Sequence, residues 1–540
     1  MASGLGGHAG FGQLAGAGTR SIRKPRNVRF RPPNACGGRT RNVGPFITNM
    51  TKQSQVNVRS LPREEPGMAE HYAAEMVING RRVTSDSTVG VLDPATEEVW
   101  AVVPECSDAQ LDDAFDAASR AQPSWSEDEE ARRKGLRSAA DALRRNEDEL
   151  SELLTREQGK SRSDSRMEIQ LSAMWLEQFA DMPVPESSVP DDCAGFAVTA
   201  ERRPLGVVAA ITPWNFPVTL ACWKLGPALR TGNTVVLKPS PYTPVSTLRF
   251  GALIADVLPP GAVNVVSGGD SLGARMTTHP VPARVSFTGS VATGKAVARS
   301  AADDLKRITL ELGGNDPAIL LDDVDPEAIA EKLFTLSFAN NGQLCGCIKR
   351  IYVPAVHFDR VAELLSGLAR DVRVGPGMVD GTDLGPINNR PQYERVLELL
   401  EDALSHGAKA IAGGKPPAGP GYFLPPTVLV DVAPDSRIVQ EEQFGPVLPL
   451  VRYTDLDAVI DDVNSSKFGL GASVWGRDID RARAVGRRLE SGTVFVNAHS
   501  IAAPNIPVGG AKWSGLGMEN GLEGLHEYTQ LKVTFESQDS

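Results

Sequence analysis

The pattern of hydrophobic positions changes character along the chain. Short alternating segments, MVINGRRV and VGVLDPATEEVWAVV, begin near Met76 and predict strands and turns. Charged amphipathic segments then run to about Phe179 and predict helices. The first of these helices has a defined start, because Ser107 and Gln110 form a capping box ahead of apolar residues at helical spacing.

From Val207 onwards, short continuous apolar runs alternate with helical segments. Five runs come first: VVAAIT, NTVVLKP, AVNVVSGG, ARVSFTG and RITLELGG. A second series follows Glu311: DPAILLD, KRIYVPA, FLPPTVLV, VLPLVRY and GTVFVNA. Continuous apolar strands that alternate with helices predict parallel sheets covered on both faces. The expected fold class is α/β, with two α/β units in series.

Length and composition narrow the class of protein. The chain has 540 residues, of which 41% are hydrophobic and 23% charged, with 52 Gly and 39 Pro spread widely. This composition is typical of a globular protein and excludes collagen-like, wholly disordered and disulfide-scaffold classes. No run approaches the roughly 18 apolar residues of a membrane-spanning helix, so we expect no integral membrane segment.

The net charge of -11 is unevenly distributed. Residues 1–63 contain nine Arg, two Lys and no acid, whereas the rest carries 45 basic against 67 acidic residues. An acidic body binds phosphate backbones poorly, so we expect no nucleic acid partner. Residues 1–70 form a basic leader with the composition of a transit peptide. A disordered leader, or a start at Met50 or Met68, is the alternative.

These features predict a soluble intracellular protein. Its compartment is the mitochondrion or plastid if the leader is a transit peptide, and the cytoplasm otherwise. Cysteine usage agrees with a reducing compartment, because the six cysteines show no CxxC motif and no zinc-type spacing with histidine. We therefore expect no metal site.

Three polar residues stand where chemistry could occur. Cys345, in FANNGQLCGCIKR, is either an accessible thiol nucleophile or a buried core cysteine. Glu311 interrupts the apolar run RITLELGG, where it is either a desolvated general base or a strand-end residue facing solvent. Asn215 follows a strand in ITPWNFPV, where its amide either donates to an oxyanion or satisfies a turn.

Eight motifs in one order connect these residues. They are ITPWNFP, WKLGPAL, GNTVVLKPS, FTGS-x-x-x-G, LELGGN, GQ-x-C, EEQFGPV and P-x-GG-x-K-x-SG-x-G-x-E. Over roughly residues 76–535 the set resembles the aldehyde dehydrogenase superfamily, NAD(P)-dependent enzymes that oxidise aldehydes through a thioester. The resemblance implies a Rossmann-type cofactor domain, an α/β catalytic domain and a small β extension that bridges subunits. The implied ranges are 71–190 and 207–311 for the cofactor domain, 312–521 for the catalytic domain, and 191–206 and 522–540 for the oligomerisation strands.

The resemblance also implies catalytic roles. Cys345 is the nucleophile that attacks the aldehyde carbon, and its backbone N–H stabilises the oxyanion together with the side-chain amide of Asn215. Glu311 activates the water that hydrolyses the thioester, and its presence favours transfer of the acyl group to water rather than to coenzyme A. Lys224 is an auxiliary catalytic residue. The expected enzyme is a general aldehyde dehydrogenase that releases the carboxylic acid.

The expected NAD(P)-binding residues lie in the same motifs. The resemblance implies that phosphates contact Ser290 and the helix start after it, and that Lys238 holds the adenosine ribose. Glu442 and Phe444 are expected beside the nicotinamide ribose and ring. The full set is Ile211, Thr212, Pro213, Trp214, Lys238, Ser240, Pro241, Phe287, Thr288, Gly289, Ser290, Gly294, Leu312, Gly313, Glu442 and Phe444.

Two departures from the family pattern bear on specificity. Pro241 stands where strictly NAD-dependent members often have Glu, which removes both a bond to ribose and the repulsion of a 2′-phosphate. We therefore expect NAD as cofactor, with NADP tolerated. Val508 replaces a common Phe, and the preceding AHSIAAPNI supplies small side chains. We expect a roomy pocket that admits bulky aldehydes.

Other assemblies and functions stay open. CAGFAVTAERRPLG and EYTQLKVTFES match the family's bridging strands, which implies a homodimer or homotetramer. One alternative function is a dedicated semialdehyde dehydrogenase of amino-acid, amine or sugar catabolism. Another is a catalytically silent family member with a structural or ligand-binding role. A third is metal or redox binding through Cys345 and Cys347.

Overall fold

The computed structural model describes residues 71–184 and 196–537. The expected leader, residues 1–70, lies outside this range, as do residues 191–195 and 538–540 of the two expected oligomerisation segments. Regular structure in the described residues begins at Tyr72, slightly ahead of the predicted start near Met76.

The secondary structure alternates between strands and helices. The strands are β1 (Tyr72–Ala73), β2 (Met76–Ile78), β3 (Arg81–Val83), β4 (Thr88–Leu92), β5 (Val99–Pro104), β6 (Phe196–Pro204), β7 (Val207–Ile211), β8 (Thr234–Lys238), β9 (Val263–Val265), β10 (Arg284–Thr288), β11 (Arg307–Glu311), β12 (Pro317–Leu320), β13 (Arg350–Pro354), β14 (Lys409–Ala412), β15 (Thr427–Val430), β16 (Val447–Tyr453), β17 (Gly471–Trp475), β18 (Thr493–Val496), β19 (Gly515–Leu516) and β20 (Thr529–Ser537). The helices are α1 (Asp108–Glu127), α2 (Glu129–Arg145), α3 (Glu147–Gln158), α4 (Arg162–Asp181), α5 (Pro217–Arg230), α6 (Val245–Ala255), α7 (Asp270–Thr278), α8 (Val291–Ala302), α9 (Pro326–Phe338), α10 (Phe358–Asp371), α11 (Arg390–Ser405), α12 (Arg437–Gln440), α13 (Leu456–Ser465), α14 (Ile479–Gly486) and α15 (Gly521–Glu527), with 3₁₀ turns at Ala339–Gly342 and Lys512–Ser514.

The first α/β unit is built on an eight-stranded sheet. Its strand order is β19-β11-β10-β7-β8-β9-β2-β3. The five strands from β11 to β9 run parallel, and β19, β2 and β3 are antiparallel to their neighbours. Every residue of β7 and β8 is buried, which explains the unbroken apolar sequence of these strands.

The second α/β unit is built on a seven-stranded sheet. Its order is β14-β15-β16-β13-β12-β17-β18, and only β14 is antiparallel to its neighbour. All ten apolar runs predicted as strands form strands in one of the two sheets. The sequence did not predict β14 at the edge or β17 inside the sheet. The predicted α/β class is confirmed.

The helix predicted after the first strands is α1, and its capping box is present. Ser107 Oγ accepts the N–H of Gln110 at 3.2 Å, and Gln110 Oε1 accepts the N–H of Ser107 at 3.0 Å. The apolar residues at helical spacing are fully buried in the core of the first unit: Leu111, Ala114, Phe115 and Ala118. In the described residues, no helix is both long enough and apolar enough to cross a bilayer.

The chain returns to the first sheet before residue 521, inside the range expected for the catalytic domain. Strand β19 falls in the range 312–521 that was assigned to the catalytic domain, yet it pairs with β11, Leu516 lying opposite Leu310. The N–H of Leu312 also donates to the Ser514 carbonyl at 2.9 Å. This pairing places Gly515, in the motif P-x-GG-x-K-x-SG-x-G-x-E, directly opposite Glu311.

A two-stranded ribbon stands apart from the sheets. Strands β6 and β20 pair antiparallel over nine residues each, from Phe196 opposite Ser537 to Pro204 opposite Thr529. Large apolar side chains on the ribbon are exposed: Phe196, Leu531, Val533 and Phe535.

Candidate active site

The carboxyl ends of four parallel strands meet at one edge of the first sheet. Glu311 ends β11, Thr288 ends β10, Ile211 ends β7 and Lys238 ends β8. The register places Thr288 opposite Glu311, and Ile211 opposite both Phe287 and Lys238. Ligands of open α/β sheets bind in the crevice outside this edge. The sheet therefore brings predicted catalytic and cofactor residues together.

Two polar groups at this edge lack strong partners. Thr212 Oγ1 is buried and makes no hydrogen bond within the described residues. Lys238 is buried, and its Nζ donates to the Pro239 carbonyl at 3.2 Å. Burial lowers the pKa of Lys238 to about 8, while the charge of Asp270 acts in the opposite direction. A buried hydroxyl and a poorly paired ammonium fit the hydroxyls of a ribose.

The start of α8 provides an anion site at the same edge. Ser290 caps this helix, and its Oγ accepts the N–H of Thr293 at 3.2 Å. The N–H of Gly289 donates to the Glu311 carbonyl at 3.0 Å. A Cβ on Gly294 would lie 2.5 Å from Leu312 Cδ2, so the glycine lets α8 pack closely against the chain after β11. The N-terminus of a helix suits the phosphates of a dinucleotide.

The segment EEQFGPV reaches this edge from the second unit. Glu442 Oε1 accepts the N–H of Gly314 at 3.0 Å, and a Cβ on Gly313 would overlap Glu442 Oε2. Burial raises the pKa of Glu442 to about 7. The ring of Phe444 stands edge-on to that of Trp214, with centroids 5.2 Å apart. Predicted cofactor residues of the two units are thus in contact.

The remaining predicted cofactor residues form short loops beside these groups. Ser240 and Pro241 lie in the turn after Lys238, where Ser240 Oγ accepts the N–H of Tyr242 at 3.3 Å. Pro213 is half-buried in the loop that joins β7 to α5.

Cys345 lies in a loop with a strained backbone. Asn340, Asn341 and Gly342 have φ values of 49°, 57° and 75°, a left-handed region that non-glycine residues rarely adopt. A Cβ on Gly342 would overlap the Gly445 carbonyl, so only glycine fits there. Strain of this kind persists where surrounding contacts impose it, and it is typical of active sites.

Asn215 connects the two units at the thiol loop. Its Nδ2 donates to the carbonyl of Gln343, two residues before Cys345, at 3.0 Å. The backbone carbonyl of Asn215 accepts a hydrogen bond from Asn340 Nδ2 at 3.2 Å. The amide therefore binds the Cys345 loop rather than its own turn, and its second N–H is oriented by this contact.

The electrostatic surroundings of Cys345 keep its thiol protonated near neutral pH. The residue is partly exposed, but desolvation raises its pKa to about 12. The negative charges of Glu311, Glu442 and Asp316 act in the same direction, whereas that of Lys349 opposes them. A thiol of this kind needs nearby positive charge to become a nucleophile.

Cys347, by contrast, belongs to the core. It is fully buried, its Sγ lies 3.8 Å from the Ala339 carbonyl, and burial raises its pKa to about 11. No group of three or more His, Cys, Asp or Glu residues suited to a metal ion occurs in the part of the chain that the structure describes.

Glu311 is buried rather than solvent-facing, so the solvent-facing interpretation is wrong. Its Oε1 makes no hydrogen bond with any described residue. Desolvation raises the pKa of Glu311 well above its usual range, and the charge of Glu519 adds to this effect. The charge of Lys224 lowers it. An unpaired carboxylate of raised pKa is suited to general base chemistry.

A buried ion pair lies behind Glu311. Lys224 Nζ is 3.0 Å from Glu519 Oε1, and both side chains are almost completely buried. Ser286 Oγ accepts from Lys224 at 3.0 Å and donates to Glu519 at 3.1 Å. Glu519 was not among the predicted site residues, although it is the last residue of the motif P-x-GG-x-K-x-SG-x-G-x-E.

A second buried ion pair supports Asn215, and its residues were not among the predicted site residues. Lys160 Nζ and Glu168 Oε2 are 2.6 Å apart, and both side chains are fully buried. Lys160 also donates to the Asn215 carbonyl at 2.8 Å. Glu168 Oε1 accepts the N–H groups of Val218 and Thr219 at the start of α5. The pair fixes the loop that carries Asn215.

Replacing Lys160 with methionine should destabilise the protein. The change leaves the Glu168 carboxylate buried without its cation, which costs about 3–5 kcal/mol in free energy of unfolding. Urea denaturation of the variant measures this loss. The double variant Lys160→Met with Glu168→Gln removes both charges and should recover part of the stability, whereas a double variant as unstable as the single one would contradict the account.

The family model described as "Aldehyde dehydrogenase family" matches residues 82–534. The chain belongs to the aldehyde dehydrogenase family. It is 37% identical to the phenylacetaldehyde dehydrogenase of Pseudomonas fluorescens, over 89% of this chain and 99% of that protein. It is 36% identical to the succinate-semialdehyde dehydrogenase (NADP(+)) of Escherichia coli strain K12, over 85% and 97% of the two chains.

A solved aldehyde dehydrogenase from Bacillus cereus, in complex with NAD+, has the same fold. It superposes with a TM-score of 0.84 at 35% identity, covering 86% of this chain and 97% of its own. The family resemblance and the fold predicted from the motifs are confirmed. As an aldehyde dehydrogenase, this protein is an oxidoreductase that acts on aldehydes and uses NAD(P).

Proposed function

We propose that Cys345 is the nucleophile of this aldehyde dehydrogenase and that Glu311 is the base that activates water. The observation that carries the proposal is that a partly exposed thiol interacts electrostatically with a buried, unpaired carboxylate, while an amide is bound to the thiol loop. The sulfur attacks the aldehyde carbon to give a thiohemiacetal. Loss of hydride from that carbon gives a thioester, and water then releases the carboxylic acid and the free thiol.

Two donors stabilise the charge on the former carbonyl oxygen. They are the backbone N–H of Cys345 and the side-chain amide of Asn215, whose orientation is fixed by Gln343. Donors that are oriented before the reaction cost no reorganisation in the transition state. We assign Lys224 an auxiliary role, because its charge lowers the pKa of Glu311 and so favours the ionised base.

NAD(P), when bound, accepts the hydride. We propose that Lys238 and Ser240 hold the adenosine ribose, that Ser290 and the start of α8 bind the phosphates, and that Glu442 and Phe444 lie beside the nicotinamide. With Pro241 in place of a glutamate, NAD is favoured and NADP tolerated. The similar proteins include one solved in complex with NAD+ and one named for NADP(+), which supports the use of both cofactors.

For the substrate, we propose a bulky aldehyde oxidised by a general aldehyde dehydrogenase. Val508 and the small residues of AHSIAAPNI support this, as does the similarity to a phenylacetaldehyde dehydrogenase. A second candidate is a dedicated semialdehyde dehydrogenase, which the similarity to the Escherichia coli enzyme favours.

A panel of aldehydes, each assayed with NAD and with NADP, tests the proposed substrate. We expect kcat/KM to be at least about tenfold higher for phenylacetaldehyde than for acetaldehyde, because a larger apolar group gains binding energy in a roomy pocket. The variant Val508→Phe should reduce this ratio. A steep preference for acetaldehyde would contradict the proposal, and a preference for succinate semialdehyde would favour the second candidate.

We further propose that the β6–β20 ribbon joins subunits into a homodimer or a dimer of dimers. Its exposed apolar side chains and its free strand edges support this proposal. Replacing Val533 with aspartate should shift the protein towards monomers, because a charge would be buried in the interface. Light scattering after size-exclusion chromatography measures the change. Thr534→Asp, at the neighbouring position on the opposite face of β20, is the matched control and should leave the mass unchanged.

A further inference from the structure

A histidine and an aspartate that the proposed mechanism does not use lie buried beside the thiol loop. His499 Nε2 is 3.5 Å from Asp316 Oδ2, and the side chains are 0% and 2% exposed. Neither ring nitrogen of His499 makes a hydrogen bond with a described residue, and the same is true of Asp316 Oδ1. The two side chains thus form a buried ion-pair contact at 3.5 Å.

Asp316 is held against the backbone of Cys345. A Cβ on Gly314 would lie 2.8 Å from both Asp316 Oδ1 and the Cys345 carbonyl, so the two groups share one side of this glycine. The other carboxylate oxygen packs against Gly471. The Asp316 carbonyl accepts the N–H of Lys349 at 2.9 Å. The carboxylate is therefore fixed next to the nucleophile loop.

The backbone also fixes His499. Asn497 and Ser500, close to it in the chain, have φ values of 53° and 54°, so both adopt the left-handed backbone conformation that is rare for residues other than glycine. The Asn497 side chain accepts the N–H of Gly476 at 2.9 Å and donates to its carbonyl at 2.8 Å. Ser500 Oγ lies 3.7 Å from the Cβ position of Gly346, so the histidine segment contacts the residue after Cys345.

The position of Asp316 matters because its negative charge disfavours ionisation of the Cys345 thiol. The carboxylates that disfavour ionisation of Cys345 are Glu311 at the end of β11, Glu442 in EEQFGPV, and Asp316; Lys349 is the opposing cation. Asp316 acts in the same way on the neighbouring Cys347. A buried carboxylate without a counter-charge is costly and would oppose ionisation of a nearby thiol.

We propose that His499 is a positioning residue that supplies the buried Asp316 carboxylate with its counter-charge, so that this carboxylate does not oppose ionisation of Cys345. This inference rests on the proposed role of Cys345, and it concerns how the protein makes that thiol available.

Alkylation of Cys345 by iodoacetamide tests the proposal without catalysis. The rate is measured in the full chain without cofactor from about pH 6 to about pH 9, where it is proportional to the thiolate fraction, and the modified cysteine is identified by peptide mass spectrometry. His499→Asn leaves the Asp316 charge uncompensated, so we expect the alkylation rate at neutral pH to fall about tenfold, which corresponds to a rise of about one unit in the pKa of Cys345. Asp316→Asn removes a carboxylate that was already neutralised, so its profile should match that of the unaltered protein.

The reverse pattern would overturn the proposal. If the pair carries a negative charge, Asp316→Asn speeds alkylation and His499→Asn leaves it unchanged; no change in either variant would also overturn it. If His499→Asn does not fold, Asp316→Asn alone decides between a neutral and a charged pair. Ile501→Ala, an exposed neighbour in the same segment, is the control for local disturbance. Alkylation reports the charge around the sulfur even if Cys345 were not the nucleophile, which the activity of Cys345→Ala decides separately.

Discussion

Replacing Cys345 with alanine is expected to reduce the rate of aldehyde-dependent NAD reduction by at least about 10⁴-fold, because no thiohemiacetal or thioester can form without the sulfur. Binding of NADH, followed by its fluorescence, should be nearly unchanged, because the cofactor residues lie mainly on the strands and helices of the first sheet. Steady-state assays with the best aldehyde of the panel measure the loss of activity.

Cys347→Ala is the matched control, since this cysteine is two residues away and faces the core. It should keep most of the activity and lose only packing free energy. Full activity in Cys345→Ala would refute the proposed nucleophile. Loss of activity in Cys347→Ala, with its fold and NADH binding intact, would instead favour a role for both thiols.

Local patterns were sufficient to predict most strands of the two sheets, because strands buried on both faces have unbroken apolar sequences. The segments 207–211 and 234–238 are of this kind. Strand β17 was not predicted because its sequence, GASVW, begins with small residues of low β-propensity. It is a strand because it lies between β12 and β18, and such long-range pairing is not visible in the local sequence.

In the candidate site, too, some residues could be predicted from local sequence and others depend on long-range contacts. Glu311 and Lys238 end predicted strands, so the shared edge of a parallel sheet could be expected to bring them together. Lys160, in the loop between α3 and α4, and Glu168, in α4, could not be predicted, since charged residues usually face solvent. Their burial follows from the packing of the Asn215 loop over them. His499 and Asp316 are far apart in sequence and meet only through the fold.

Replacing Glu311 with glutamine should separate the two halves of the reaction. Formation of the thioester does not require a base for water, so we expect a burst of about one NADH per subunit. Turnover should then fall about 10²–10⁴-fold, the usual contribution of a general base. Rapid-mixing absorbance at the NADH band measures both phases. Hydroxylamine attacks thioesters directly, and it should restore turnover in the variant while changing the unaltered enzyme little.

The pH profile gives an independent check on the same residue. Hydrolysis requires ionised Glu311, and burial together with Glu519 raises the pKa of this carboxyl well above its usual range. The thioester hydrolysis rate should therefore be low on the acid side and rise with pH through that raised pKa. Glu311→Gln has no group to ionise there and should lose the rise. If the variant shows no burst and no response to hydroxylamine, Glu311 acts before the thioester forms. In that case the raised pKa would serve the attack of the thiol rather than the attack of water.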